Sequence, residues 1–173
     1  MEQLRREGFR DRNSEFGARA TELLTTTQLE DVRAAIAAMR ARADVDPPRV
    51  GVTGISYGGI LTLLAAEADS TLRAGVAFAP AGMNWGWNAP LRERLLAGAR
   101  RIRVPVMVVQ AENDFHVGPV SEVPTAIRAG GGTASGKLYP AIGGDVQSGH
   151  GLMIRAPDLW REDVLAFLAK RMR

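Results

Sequence analysis

The sequence contains no cysteine. That absence excludes disulfide bonds, thiolate metal sites and a cysteine nucleophile, and it fits the cytoplasmic location that we expect. The chain also has no apolar run long enough to span a bilayer. Its N-terminus, MEQLRREGFRDRN, is charged and lacks the apolar core of a secretory signal. We therefore expect no membrane partner.

Lysine is scarce as well, since Lys137 and Lys170 stand among many arginines. The net charge of +3 and the pI of about 9.9 raise the question of nucleic-acid binding. Outside residues 92–103 and the two ends, the arginines are scattered among acidic residues, and no nucleic-acid-binding motif accompanies them. We attribute them to a GC-rich coding bias and expect no nucleic-acid partner.

Histidine is equally rare, with only two residues, and no carboxylate cluster accompanies them. Two separated histidines make a poor metal site. We therefore expect a chain that uses neither a metal nor a cofactor.

Helical and extended patterns alternate along the 173 residues, which suit one domain, 1–173. This alternation predicts an α/β fold with about four parallel strands and helices on both faces of the sheet. Residues 1–26 carry no pattern that we can assign. The predicted strands are 49–54, 73–79, 104–111 and 136–142, and the predicted helices are 27–43, 57–68, 90–101, 119–129 and 157–172.

The motif Gly54-Ile55-Ser56-Tyr57-Gly58 follows an apolar strand and opens an apolar helix. This is the context of a nucleophile elbow, a turn so tight that the serine backbone is strained. We expect that side chains at 54 and 58 would collide, and that Gly59 lets the helix approach the sheet. The N–H of Tyr57 would be one oxyanion-hole donor. The alternative is a glycine-rich turn with an ordinary serine.

A serine nucleophile needs a base, and the sequence offers two histidines. His150 lies in Ser148-Gly149-His150-Gly151, after the last strand, where a loop can turn back over the strand ends. The alternative for His150 is a surface histidine. His116 lies two residues after Asp114, and we interpret it as a residue of the pocket rim.

The base in turn needs a carboxylate that orients it. Asp114 follows the strand 104–111 and should therefore lie at the same edge of the sheet as Ser56. Glu112, which is nearer the strand, and Asp145, five residues before His150, are the alternatives. The order Ser, Asp, His is that of α/β-hydrolases.

The sequence resembles the dienelactone-hydrolase-like branch of the α/β-hydrolases, which is related to prolyl-oligopeptidase-type catalytic domains. Four segments carry the resemblance: VDPPRVGVTGISYGG, AGVAFAPAGMNWG, VPVMVVQAENDFHVGP and SGHG. The resemblance implies a triad of Ser56, Asp114 and His150. It also implies an α/β-hydrolase fold in minimal or truncated form, since the usual core has about eight strands.

The resemblance implies a hydrolase of small carboxylic esters that acts through an acyl-enzyme. Dienelactone hydrolases proper have a cysteine in the elbow, so Ser56 favours a general esterase. An inactive structural or interaction protein and a peptidase-like hydrolase are the alternatives. The segment that usually supplies the second oxyanion donor has no evident counterpart before the elbow.

Six residues are candidates for the substrate pocket. Most lie in the loops that follow the second and third strands. For the tryptophans among them, the alternative is a place in the core or in an interface. The candidates are Met83, Trp85, Trp87, Phe115, His116 and Met153.

The elbow strand should lie at an edge of the sheet, because no earlier strand precedes it. An unpaired edge invites pairing with another strand. Either residues 1–26 cover this edge, or two chains meet there. We expect a homodimer joined near residues 27–54, because two-fold contacts are the commonest way to close such a surface.

Overall fold

The computed structural model describes residues 14–172. In these residues four strands form one parallel sheet in the order β1-β2-β3-β4. The α/β fold predicted from the alternating pattern is confirmed. The strands are shorter than or shifted from the predicted ranges by a few residues. They are β1 (Val52–Ile55), β2 (Gly75–Phe78), β3 (Val106–Ala111) and β4 (Ala134–Tyr139).

Helices connect and flank the strands. A short 3₁₀ turn, Pro47–Arg49, precedes β1. None of the helices described between residues 14 and 172 combines the length and the apolar character needed to cross a bilayer. The helices are α1 (Ser14–Thr25), α2 (Thr27–Arg40), α3 (Tyr57–Ala68), α4 (Ala89–Ala99), α5 (Gly118–Ala129), α6 (Val146–His150), α7 (Leu152–Arg155) and α8 (Pro157–Ala169).

Alternate residues of the central strands point into two separate cores. Val106 and Val108 of β3 join the larger core, which includes side chains of α2 to α5. Met107 and Val109 join the smaller core against α8, where Trp160 packs edge-on against Phe78. This period of two places helices on both faces of the sheet, as the sequence predicts.

Helix α1 supplies structure to a segment that the sequence pattern leaves unassigned. Phe16, Ala20, Leu23 and Leu24 on one side of α1 are buried. The helix packs against α2, α3 and α4. These residues therefore extend the helical layer of the larger core. The remainder of the unassigned segment, 1–13, lies outside the described residues.

Strand β1 lies at an edge of the sheet, as predicted. The N–H groups of Val52 and Ser56 donate to the carbonyls of Ala74 and Phe78 next to it. In a parallel ladder the backbone N–H and C=O groups of the next residue, Thr53, then point away from β2 toward the free edge of the sheet. Thr53 is exposed. An apolar cavity of about 310 Å³ opens between β1 and α8 beside this edge.

Two glycines let α3 pack tightly onto the sheet. A Cβ atom at Gly59 would lie 2.6 Å from the carbonyl oxygen of Phe78. One at Gly54 would lie 2.5 Å from the backbone of Gly58, so both positions require glycine. The expectation that a side chain at Gly58 would also collide is wrong, because a Cβ atom there meets nothing within 4 Å.

Gly59→Ala and Gly58→Ala are therefore a matched pair with opposite outcomes. We expect Gly59→Ala to lower the free energy of unfolding by about 1–3 kcal/mol, because backbone atoms of β2 must move. Gly58→Ala should keep or raise stability, since alanine favours a helix over glycine by about 1 kcal/mol. Thermal and urea denaturation measure both, and equal losses would contradict this description of the helix–sheet contact.

Candidate active site

Strained backbone is concentrated at the carboxyl edge of the sheet. Ser56, between the end of β1 and the start of α3, has φ 58° and ψ −114°. Ala79 and Ala81, in the turn after β2, also have positive φ values of 46° and 56°. Such conformations are costly for residues with a Cβ atom and cluster at functional sites. The turn lifts Ser56 out of the sheet as an elbow requires.

A continuous line of hydrogen bonds joins three side chains at this edge. The His150 Nε2 atom lies 2.8 Å from Ser56 Oγ. The His150 Nδ1 atom lies 2.7 Å from Asp114 Oδ1. The Asp114 side chain has no exposed surface and that of His150 is 11% exposed, so the pair is shielded while Ser56 is half-buried.

The hydrogen bonds around Asp114 decide which nitrogen of His150 carries the proton. Oδ1 accepts the N–H of Phe115 at 2.7 Å, and Oδ2 accepts the amide Nε2–H of Gln110 at 2.7 Å. Both oxygens therefore act as acceptors, as in a carboxylate. His150 must then donate from Nδ1, which leaves Nε2 to accept the hydroxyl proton of Ser56.

His150 ends the short helix α6, whereas the sequence predicted a loop. Asp145 caps this helix by accepting the N–H of Ser148 at 2.7 Å. The same backbone hydrogen bond holds the pKa of Asp145 below its usual range. The cap fixes where α6 begins, and one and a half turns later the chain reaches His150.

Asn113 fastens the loop of Asp114 to the segment that carries His150. Its amide Nδ2 donates to the carbonyls of Ile142 and Asp145, both at 2.8 Å. Its Oδ1 accepts the N–H of Ile142 at 3.1 Å. A Cβ atom at Gly149 would lie 2.5 Å from the Asn113 backbone, so glycine permits this close approach.

The alternative carboxylates lie elsewhere. Glu112 is exposed at the end of β3, and its N–H donates to Tyr139. Asp145 is engaged in capping α6. Of the three candidates from the sequence, Asp114 is the one whose carboxylate contacts His150.

Four of the predicted pocket residues are at least partly exposed in the loops that follow β2 and β3. Phe115 packs edge-on against the ring of His150 at 5.4 Å and is 37% exposed. Trp87 is 40% exposed, and its Nε1 donates to the carbonyl of the half-buried Met83. His116 is exposed, and its Nδ1 accepts the N–H of Gly118.

Two predicted pocket residues lie apart from that group. Trp85 is 1% exposed in the larger core, where Nε1 donates to Glu122. For Trp85 the alternative given in the sequence analysis, a place in the core, is therefore the correct one. Met153 packs with the smaller core and lines the cavity between β1 and α8. Neither residue is retained in the pocket that we propose below.

Tyr57 is the first residue of α3. An N–H group at that position has no acceptor inside the helix, and the helix dipole is positive there. The predicted oxyanion donor therefore lies directly after Ser56, at the amino end of a 12-residue helix. Within residues 14–172 we find no group of three or more His, Asp or Glu side chains that could hold a metal ion.

Gln110 and Asn113 are the polar residues of this site that sequence reasoning missed. Both lie in the segment Gln110-Ala111-Glu112-Asn113-Asp114, of which the sequence indicates only the acidic residues as candidates. A signal was available, because Gln110 is a polar residue at the end of an apolar strand. Its burial could not be read from the sequence.

Comparison with known proteins identifies the family of this chain. Residues 3–144 match the Dienelactone hydrolase family. The chain belongs to this family. The matched segment includes Ser56 and Asp114 and ends before His150. A Methylorubrum extorquens protein named "Putative carboxymethylenebutenolidase" is 29% identical over 118 residues, which are 66% of this chain and 40% of that protein.

Solved structures share the fold. An acylaminoacyl peptidase of Pyrococcus horikoshii superposes with a TM-score of 0.68 at 18% identity, over 87% of this chain and 28% of that one. The Pyrococcus furiosus esterase Pf2001 gives 0.64 at 17% identity, over 87% of this chain and 64% of the esterase. The chain thus spans less than two thirds of these relatives.

The short hydrogen bond between His150 and Asp114 can be observed directly. A proton held between an imidazole nitrogen and a buried carboxylate is strongly deshielded. We expect a far-downfield proton NMR signal that is lost in Asp114→Asn and in His150→Gln. The signal should persist in Asp145→Asn, since asparagine is also a good helix cap. If the signal were lost in Asp145→Asn and kept in Asp114→Asn, the partner of His150 would be Asp145 and the assignment of Asp114 would be wrong.

Proposed function

We propose that this chain is a serine hydrolase that cleaves small carboxylic esters through an acyl-enzyme. The observation that carries the proposal is the unbroken line of hydrogen bonds from Asp114 through His150 to Ser56. A serine hydroxyl is a weak nucleophile unless an adjacent base removes its proton. Here the base, His150, contacts the Ser56 hydroxyl, and the carboxylate of Asp114 contacts His150.

Acylation would begin when Ser56 Oγ attacks the ester carbonyl carbon. The hydroxyl proton moves to His150 Nε2, and the resulting imidazolium is stabilised by Asp114. The carbonyl oxygen becomes an oxyanion that accepts the N–H of Tyr57. When the bond to the leaving alcohol breaks, His150 returns the proton to its oxygen. The acyl group is then bound to Ser56.

Deacylation would use the same groups with water as the nucleophile. His150 takes a proton from the water molecule that attacks the acyl carbonyl. His150 then gives that proton to Ser56 Oγ as the bond between Oγ and the acyl carbon breaks. The carboxylic acid leaves and the serine is restored. Asp114 stays ionised throughout, because its role is to hold the Nδ1–H tautomer of His150.

An apolar rim supports the assignment of a small ester as substrate. Phe115 is partly exposed against the ring of His150, and the loops that follow β2 and β3 also carry the exposed Trp87 and His116 and the half-buried Met83. Apolar and aromatic side chains with a few polar groups are the usual lining of a small-molecule site. The family description also names a lactone, which is a cyclic ester. We therefore propose short acyl esters and lactones as the substrate class.

Two other functions are outcomes of the same assay. A peptidase-like hydrolase would share the fold of the acylaminoacyl peptidase and would cleave anilides as well as esters. A catalytically inactive interaction protein would cleave neither. Short-chain p-nitrophenyl esters, compared with peptide p-nitroanilides, separate the three.

Ser56→Ala should lower esterase activity at least ~10³-fold, because only binding and oxyanion stabilisation would remain. His150→Ala should be about as damaging, since these residues act as a unit. Asp114→Asn should cost on the order of 10⁴-fold in kcat, as expected when the histidine loses its correct tautomer. Initial rates on p-nitrophenyl acetate measure all three.

The labelling of Ser56 provides an independent control. A fluorophosphonate probe should modify Ser56 in the parent chain, and peptide mass spectrometry should find no label in Ser56→Ala. Asp145→Asn should retain nearly the parental rate. Labelling at another residue, or an active Ser56→Ala variant, would refute the proposed mechanism.

We also propose that two copies of the chain meet along β1. This edge strand, VTGI, contains no proline or charged residue that would prevent pairing. The neighbouring cavity is lined by apolar side chains of α8, including Trp160, Leu165 and Leu168. Pairing two copies of β1 would satisfy its outward backbone groups and cover this cavity. Ser56 would then lie close to the interface.

Light scattering and sedimentation of the full chain test this dimer. We expect a dimer at micromolar concentration that Thr53→Lys converts to a monomer, because an edge lysine opposes strand pairing. Ala129→Lys, at an exposed position near the end of α5, should leave the dimer intact. Deletion of residues 1–26 is not a clean test, since it would remove α1 and uncover the surfaces of α2, α3 and α4 against which α1 packs. A monomeric parent would rule the dimer out.

A further inference from the structure

Gln110 is a fully buried polar side chain in the apolar strand β3. A buried amide is costly unless its groups are hydrogen-bonded. Here Nε2 donates to Asp114 Oδ2 at 2.7 Å and to the carbonyl of His116 at 3.0 Å. Its Oε1 accepts the N–H of Val120 at 2.9 Å. The side chain therefore has partners for both amide hydrogens and for its oxygen.

The backbone decides which way round the amide lies. The carbonyl of His116 can only accept, and the N–H of Val120 can only donate. The nitrogen of Gln110 must face His116, and its oxygen must face Val120. Reversing the amide would break both contacts. The donor presented to Asp114 is thus set by two backbone groups, one in the loop after β3 and one in the first turn of α5.

We propose that Gln110 is a positioning residue that sets the rotation of the Asp114 carboxylate. The inference rests on the proposed function, in which Asp114 must present Oδ1 to His150. The terminal torsion of an aspartate is soft and has no sharp preferred angle. The N–H of Phe115 holds Oδ1, and Gln110 holds Oδ2. Two donors on different oxygens fix the plane of the group.

Water has little room to replace Gln110. The Asp114 side chain has no exposed surface. A Cβ atom added at Gly82 would lie 2.7 Å from Asp114 Oδ2, so backbone closes that side too. Removing the amide of Gln110 therefore leaves a buried carboxylate oxygen without its donor. Such an oxygen is expected to rotate toward other donors, at the expense of its contact with His150.

Gln110→Met tests the proposal with a side chain of similar length that cannot donate. We expect kcat on p-nitrophenyl acetate to fall on the order of 10–100-fold, the usual effect of losing a partner that orients a functional side chain. KM should stay within about 2-fold, since Gln110 is not part of the proposed pocket. An unchanged kcat would overturn the inference.

A double-mutant cycle separates positioning from general loss of stability. In the Asp114→Asn background, Gln110→Met should change kcat by less than about 3-fold, because the group through which it acts is gone. A purely structural role predicts the same factor in both backgrounds. Val108→Ala is the matched control, since it removes buried volume from the same strand. It should lower Tm without changing kcat.

Gln110→Glu adds a readout that packing does not affect. The introduced carboxyl can donate to Asp114 only while it is protonated, and when ionised it repels Asp114. The ratio of variant to parental kcat/KM should therefore rise as pH falls. A ratio independent of pH would overturn the inference. If Ser56→Ala and Asp114→Asn keep parental rates, the proposed function itself has failed; if they lose activity while Gln110→Met does not, only this inference has.

Discussion

The parallel alignment of the four strands is the constraint on which the rest of the structure depends. Because all strands run the same way, the segments that follow them meet at one edge. Ile55 pairs with Phe78, and Phe78 with Val109, so neighbouring strands end almost in step. A slip of two residues would move a strand by about 6.6 Å. Side-chain contacts at hydrogen-bond distance could not survive such a shift.

The fold and the three candidate side chains could be predicted from the sequence because their signals are local. An apolar strand, a glycine-rich turn and an apolar helix identify Ser56 within a few residues. Asp114 and His150 each follow a predicted strand, so a parallel sheet brings them to the same edge. The boundaries of strands and helices were less accurate, since they depend on where hydrogen bonds to neighbouring strands stop.

Packing determined what the sequence left open. One side of helix α1 is buried because α2, α3 and α4 pack against it, and such packing is not visible in a local sequence pattern. Trp85 is an aromatic residue in a loop, as many pocket residues are, but its side chain belongs to the larger core. Gln110 and Asn113 act through backbone groups of distant segments. The polarity of Gln110 in an apolar strand indicates that it needs hydrogen-bond partners, but its position in the sequence does not identify them.

The hydrogen bonds of Asn113 have a consequence for motion. They join the loop of Asp114 to the backbone at Ile142 and Asp145, so the acid-bearing and histidine-bearing segments form one rigid unit. Ser56 belongs to a second unit, the turn from β1 into α3. A small displacement of the two units relative to each other would lengthen the hydrogen bond between His150 and Ser56. It would leave the hydrogen bond between His150 and Asp114 unchanged. The distance between His150 and Ser56 is then the one most easily changed, and it is the distance that the proton would cross in the proposed mechanism.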